Sequence, residues 1–249
     1  MLKKRDLKSF YTDIFVLNNI FKTVSNNNRK LEEGLTKNMP SSLSIETNKK
    51  ELAYKDINEP EKKFILRAIK EHRIFEIVVE LFEDMHEYDF SSTPSVRNAT
   101  IEGHISSYSR LEKINLYDHT INCATSAIEI FIEENTPQTT ANIVLLLALL
   151  HDFGKEERLF KKFNGDTRTN HCVISSRYAR SKFSKYVNTL LSKEELATIA
   201  ETLEKHHNKY VQETEYLRLL KRADGAARQK EEEFIISLEE DYEDDKETI

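Results

Sequence analysis

Seven side chains in the second half of this 249-residue chain carry lone pairs suited to a cation: His119, His151, Asp152, His171, His206, His207 and Asp224. They lie at or near the ends of five helical patterns. The pair His151–Asp152 closes the run NIVLLLALL (142–150), which is apolar after its first residue. An isolated carboxylate at the buried end of such a helix is very costly, so it must be paired, hydrogen-bonded or bound to a cation. Imidazole and carboxylate are the side chains that hold zinc, manganese, iron or nickel without redox-labile thiols. A metal gripped from several helices needs no short motif, only ligands that converge at helix ends. Adjacent His and Asp can both reach one ion, and the second oxygen of the Asp can reach a neighbouring ion.

Each residue also has a plain structural reading. His119 shares a helix face with Cys123, Ala127 and Ile130, where a satisfied core histidine is the commoner case. Asp152 could pair with Lys155, and Asp224 with Arg222 or Arg228 at the surface. His171 follows a polar loop, where capping or exposure is the default. Taken together, the set favours a metal centre.

The elements that must position these residues are helices. Apolar positions recur at three- and four-residue steps over 5–24 and 59–88, and Pro60 suits the first turn of the second. Residues 25–58 read as loop or weak structure. Helices are expected over 115–135, 136–152 (N-cap Thr139 or Thr140), 171–186, 192–207 and 213–229. Ser192 with Glu195 forms a capping box. The loop 162–170 carries Asn-Gly. The end, LEEDYEDDKETI, is acidic and reads as a frayed tail. No internal repeat and no alternating strand pattern occurs. The reading is an all-α chain with an N-terminal helical region over 1–90, a cap or dimerisation arm, a main domain over 91–232 and an acidic tail over 233–249. Phe64, Phe75 and Phe82 read as packing residues.

Composition agrees: 5 Gly, 4 Pro and no Trp suit a mostly helical protein, and 249 residues suffice for one large or two modest domains with a real core. The net charge of −6 argues against broad electrostatic binding to nucleic acid, though a local basic face stays open. Two cysteines imply no disulfide framework, and both read as reduced, partly buried thiols. The N-terminus lacks the apolar stretch of a secretory signal, and the longest apolar run, Ile143–Leu150, is far too short for a membrane span. A cytoplasmic protein is expected, with no membrane partner.

The order His119, His151–Asp152, Asp224 resembles the H…HD…D pattern of the HD-domain superfamily of metal-dependent phosphohydrolases. HDFGK (151–155) is similar to its HDxGK form, and RADGAAR (222–228) to its closing AD helix. The resemblance covers roughly residues 100–230. It implies an HD-domain helical bundle with a metal at its centre. His171 and one of His206 and His207, between HD and the last Asp, resemble the additional histidines of the dinuclear subgroup, with His206 preferred on its distance before Asp224. The tandem histidines are also similar to the HHE of the cyclic-dinucleotide branch, but NKY follows and no GYP-type motif occurs. The approach GHISSYSRLEKINLYDHT resembles HD domains of conjugative relaxases, without a catalytic tyrosine motif.

The resemblance implies one or two divalent ions (Mn, Fe, Zn, Ni or Mg), bridged by Asp152, and hydrolysis of a phosphate ester or anhydride of a nucleotide-like substrate. Lys155, the second catalytic candidate, is expected to hold a substrate phosphate as a point charge. Arg158 and Arg228 are further substrate-binding candidates. Arg158, Lys161, Lys162 and Arg168 would rim the cleft, although a solvated charged loop is the commoner account of these four. The alternatives are a DNA-processing nuclease or relaxase-associated HD domain, and a nucleotide-binding regulatory module without turnover. A homodimer is compatible with either.

Overall fold

The computed structural model describes residues 60–96, 111–166 and 169–247, with side chains from 62 to 236 within those ranges. The described residues belong to one compact unit, Ala53–Ile249. The helix expected over 5–24 and the loop over 25–58 lie outside the described residues, as does Arg168.

Eight α-helices occur among the described residues: α1 Pro60–Ala68, α2 Phe75–Glu87, α3 Leu116–Glu134, α4 Gln138–Leu150, α5 Glu157–Lys162, α6 His171–Phe183, α7 Lys193–Lys205 and α8 Glu215–Glu247. No strand occurs there, only the isolated bridges Pro94–Asn115 and Val187–Leu191. The all-α expectation holds. None of these helices is long and apolar enough to cross a membrane.

α4 is the axis of the bundle. Every residue from Ala141 to Leu150 is buried, so this helix is apolar all round rather than on one stripe. It packs against α3, α7 and α8, while α6 covers α7 and the 3₁₀ turn Phe153–Lys155 that follows α4. α4 begins after Pro137, which is the N-cap and makes no side-chain cap bond. This corrects the expected Thr139 or Thr140 cap: the helix starts two or three residues earlier, directly after the φ-restricted proline. The capping box of Ser192 and Glu195 opens α7 as expected. Asn115 caps α3 by accepting from Asp118 N at 2.8 Å, and Asn170 caps α6 by accepting from Val173 N at 3.1 Å.

α1 and α2 share one apolar cluster with α3, α4, α6, α7 and α8. The expected division between residues 90 and 91 therefore falls inside this compact unit. Phe75 and Phe82 are buried in that cluster, whereas Phe64 is 37% exposed. Polar ties reinforce the seam: Asp84 on α2 binds Tyr178, and Lys182 Nζ lies 2.6 Å from Asp84 Oδ2, both partners being on α6. His72 Nδ1 meets Asn142 Oδ1 at 2.6 Å. The expected frayed tail is corrected too, because α8 runs unbroken to Glu247. Residues 238–247 carry four Glu, three Asp and one Lys, and Glu is a good helix former that extends a helix already nucleated.

Candidate metal centre

α4 ends where the chemistry begins. His151 follows Leu150 with helical dihedrals, Asp152 leaves the helix, and the 3₁₀ turn carries Gly154 and Lys155. Gly154 explains the tight turn. A Cβ there would sit 2.1 Å from the His171 carbonyl oxygen and 2.8 Å from Ile174 Cβ. Only glycine lets this turn press against the first turn of α6. Ser175 locks the contact: its hydroxyl accepts from Gly154 N at 2.9 Å and donates to the His151 carbonyl at 3.0 Å.

The donors form two groups. In the first, His119 from α3 meets His151 and Asp224 from α8. His119 Nε2 lies 3.2 Å from His151 Nε2 and 3.2 Å from Asp224 Oδ1. The second joins His171 and Cys172 at the start of α6 with His206 and His207 after α7, and within each group all donor atoms lie within 4.8 Å of one another. Asp152 stands between. Its Oδ2 is 3.3 Å from His151 Nε2 and 3.6 Å from His119 Nε2, while Oδ1 is 3.2 Å from His171 Nε2. All seven expected residues are thus brought together. His206 is the buried member of the tandem pair and His207 the exposed one.

Ring orientation is set from behind. A carbonyl only accepts, so His151 Nδ1 donates to Ala148 O (2.9 Å) and His206 Nδ1 to Leu203 O (2.6 Å). His119 Nδ1 lies 3.0 Å from Glu231 Oε1, whose pKa falls although burial opposes it, because the carboxylate bonds to His119. A ring whose only proton sits on Nδ1 turns its Nε2 lone pair inward. Two such lone pairs, on His119 and His151, then face each other across 3.2 Å. That arrangement is repulsive unless a proton or a metal cation lies between.

The carboxylates point the same way. Asp152 is 2% exposed, and its Oδ1 has no hydrogen bond of good geometry. Burial alone would raise its pKa, yet the His151 and Lys155 charges hold it well below the ordinary range. Asp224 is likewise lowered against burial, by its bond to His119. Burial pushes His206 down to about 3, so its ring is neutral at physiological pH. Buried anionic oxygens beside inward-turned imidazole nitrogens fit a divalent cation, and Asp152 offers one oxygen to each group.

The cationic residues divide. Arg228 sits at the centre, with Nη1 2.9 Å from Ser95 Oγ and 3.0 Å from Glu231 Oε2, and Nη2 3.9 Å from Asp152 Oδ2. Lys155 turns inward: Nζ lies 2.6 Å from Asp152 Oδ2 and 2.7 Å from the Ser95 carbonyl. The expected phosphate lysine is therefore the partner of the central carboxylate. Arg158 is not brought in. Its Nε binds Glu156 at 3.1 Å and its guanidinium lies over Tyr88, because α5 turns that face outward. Lys161 pairs with Glu157 at 2.5 Å and Lys162 with Tyr88 at 2.9 Å, in keeping with a solvated charged loop. A cavity of about 400 Å³ opens onto His206, His207, Asp224 and Arg228.

Two members of the site escaped the sequence reading. The sequence offers Cys172 only as a reduced, partly buried thiol. Glu231 carried a legible signal: Asp224, Arg228 and Glu231 fall at i, i+4 and i+7 on one face of α8.

Helices that bring H…HD…D and additional histidines together form an all-α domain with a candidate metal centre. Residues 116–229 match the family model described as HD domain, which places this segment in the HD-domain superfamily, whose members are generally metal-dependent phosphohydrolases. Neither the curated proteins nor the solved structures gave a match.

Proposed function

We propose that this protein hydrolyses a phosphate ester or anhydride of a nucleotide-like substrate at a dinuclear metal centre. The observation that carries the reading is the Asp152 carboxylate, with one oxygen on each donor group and Oδ1 otherwise unpaired. His119, His151 and Asp224 would hold one ion with Asp152 Oδ2, and His171 and His206 the second with Oδ1, His207 standing at its open side. Bound there, divalent cations supply a hydroxide near neutral pH and neutralise charge on the phosphoryl oxygens.

The protein's own groups do the rest. Glu231, Ala148 O and Leu203 O keep three imidazoles in the tautomer that presents Nε2. Lys155 fixes the Asp152 carboxylate against the Ser95 carbonyl. Arg228 lies on the cavity wall beside Asp224, Nε 4.0 Å from Oδ1, where its fork can bind phosphate oxygens. Leu111 and Leu220 give the cavity an apolar side, and Lys221 also lines it. Apolar wall, cationic wall and a volume of about 400 Å³ suit a mononucleotide.

The test is elemental analysis of protein purified without chelator, followed by turnover assays. The panel holds nucleoside mono-, di- and triphosphates, an aryl phosphate and single-stranded DNA, with Asp152→Asn as control. Metal near two equivalents and nucleotide hydrolysis lost in the variant are expected. Metal without turnover on any substrate would favour a binding module, cleavage of DNA alone would favour a nuclease, and absence of metal would end the reading.

A further inference from the structure

The second donor group contains an atom that the bridging-aspartate scheme does not use. Cys172 Sγ lies 3.7 Å from His171 Nε2 and 3.8 Å from His206 Nε2. The residue is 1% exposed and its thiol is free. A tetrahedral ion with metal–nitrogen bonds of about 2.05 Å and a metal–sulfur bond of about 2.3 Å separates nitrogen from sulfur by roughly 3.6 Å. Both observed separations match that edge.

A buried thiol alone proves nothing, since such cysteines are common packing residues. The independent observation is Asp152 Oδ1, buried, without a hydrogen bond, and 3.2 Å from the same His171 Nε2. Sulfur and two imidazole nitrogens thus lie within 4.8 Å of one another, and a buried carboxylate oxygen lies 3.2 Å from one of those nitrogens. Cys123, the other buried thiol, belongs to neither donor group.

We infer that Cys172 is a thiolate ligand of the second metal position, which makes that position a mixed S, N, O site for a soft or borderline transition ion. The inference rests on the dinuclear reading above and adds to it the identity of the metal class. A thiolate favours zinc, cobalt or ferrous iron and disfavours magnesium and calcium, which prefer all-oxygen shells. The first position, built from His119, His151 and Asp224, has no sulfur donor. The two positions are thus chemically unequal, and a protein given limiting zinc fills the Cys172 side first. Thiolate and bridging carboxylate together also offset the charge of a dication in a buried setting.

The experiment uses the full chain, stripped of metal and reconstituted with Co²⁺. Wild type is expected to show sulfur-to-cobalt charge-transfer absorption in the near ultraviolet, saturating at one equivalent within a total of two bound. Cys172→Ser should lose that band and bind one equivalent more weakly, by at least the roughly 10–100-fold that loss of an outer-shell partner costs. Cys123→Ser should keep the band. Zinc-edge X-ray absorption of wild type gives a readout independent of any variant's folding, with one sulfur shell near the ~2.3 Å expected for zinc–thiolate. Two cobalt ions bound with no band and no sulfur shell would overturn the ligand role while leaving the dinuclear reading intact. A band lost in Cys123→Ser instead would overturn it as well. No bound metal at all would remove both.

Discussion

His119 on α3 donates Nδ1–H to Glu231 on α8 over 3.0 Å, across 112 residues of chain. Both are buried, and the bond turns the His119 Nε2 lone pair onto the point that His151 and Asp224 also face. A metal-directed imidazole backed by a carboxylate is more basic and held in one tautomer. Glu231 also binds Arg228 Nη1 at 3.0 Å, so one side chain orients a metal donor and a cavity-wall cation together.

Glu231→Gln keeps the shape and removes the charge. The expected outcome is a loss of metal affinity of about 10–100-fold, typical of removing such a backing partner. Competition against a chromophoric chelator measures it. Affinity equal to wild type would mean that His119 needs no carboxylate behind it.

Gly154→Ala introduces a methyl group into the backbone of α6, 2.1 Å from His171 O. The turn or the helix must move. A destabilisation of about 1–3 kcal/mol is expected, the usual range for overpacking a core. Urea unfolding followed by circular dichroism reads the stability, and metal titration reads the displacement of His171. An unchanged midpoint would show that the contact between the turn and α6 is soft.

Stability without metal should fall on acidification through a definite window. His206 titrates near 3 in the folded chain because burial opposes its charge, against an ordinary value of 6.5. Between those values the unfolded chain binds more protons, so unfolding becomes easier as pH falls from about 6.5 towards 3. Asp152 and Asp224, both lowered, add the same sign of effect below their ordinary value of 3.8. His151 is raised, so its contribution is present below 6.5 and fades as pH climbs through its folded value. Urea midpoints measured across pH, with His206→Asn as comparison, test this. A variant whose slope between pH 6.5 and 3 matches wild type would refute the assignment to His206.

Arg228 reports on substrate rather than on metal. Under the proposed function, Arg228→Ala should lower kcat/KM by about tenfold to hundredfold, since a charge-assisted bond is worth ~1.5–3 kcal/mol. Lysine in its place should recover only part, because a point charge cannot fork onto two phosphate oxygens. Unchanged kcat/KM in both variants would remove Arg228 from the substrate site.

Much was readable along the chain because it is local. The all-apolar run before His151, the proline opening α1 and the Ser192–Glu195 box each act within a turn or two, so helical periodicity and capping chemistry expose them. The histidines and aspartates stood out because a carboxylate at the buried end of an apolar helix must be compensated. What packing alone decided is every long-range choice. It set whether Lys155 faces the cleft or Asp152, and sent Arg158 outward onto Glu156 and Tyr88. It placed the Cys172 sulfur beside His206, and seated α1 and α2 on the same core as α4. Those outcomes depend on the rotation of one helix against another. That rotation is fixed by the summed fit of many apolar side chains and by the close approach at Gly154, which no single stretch of sequence contains.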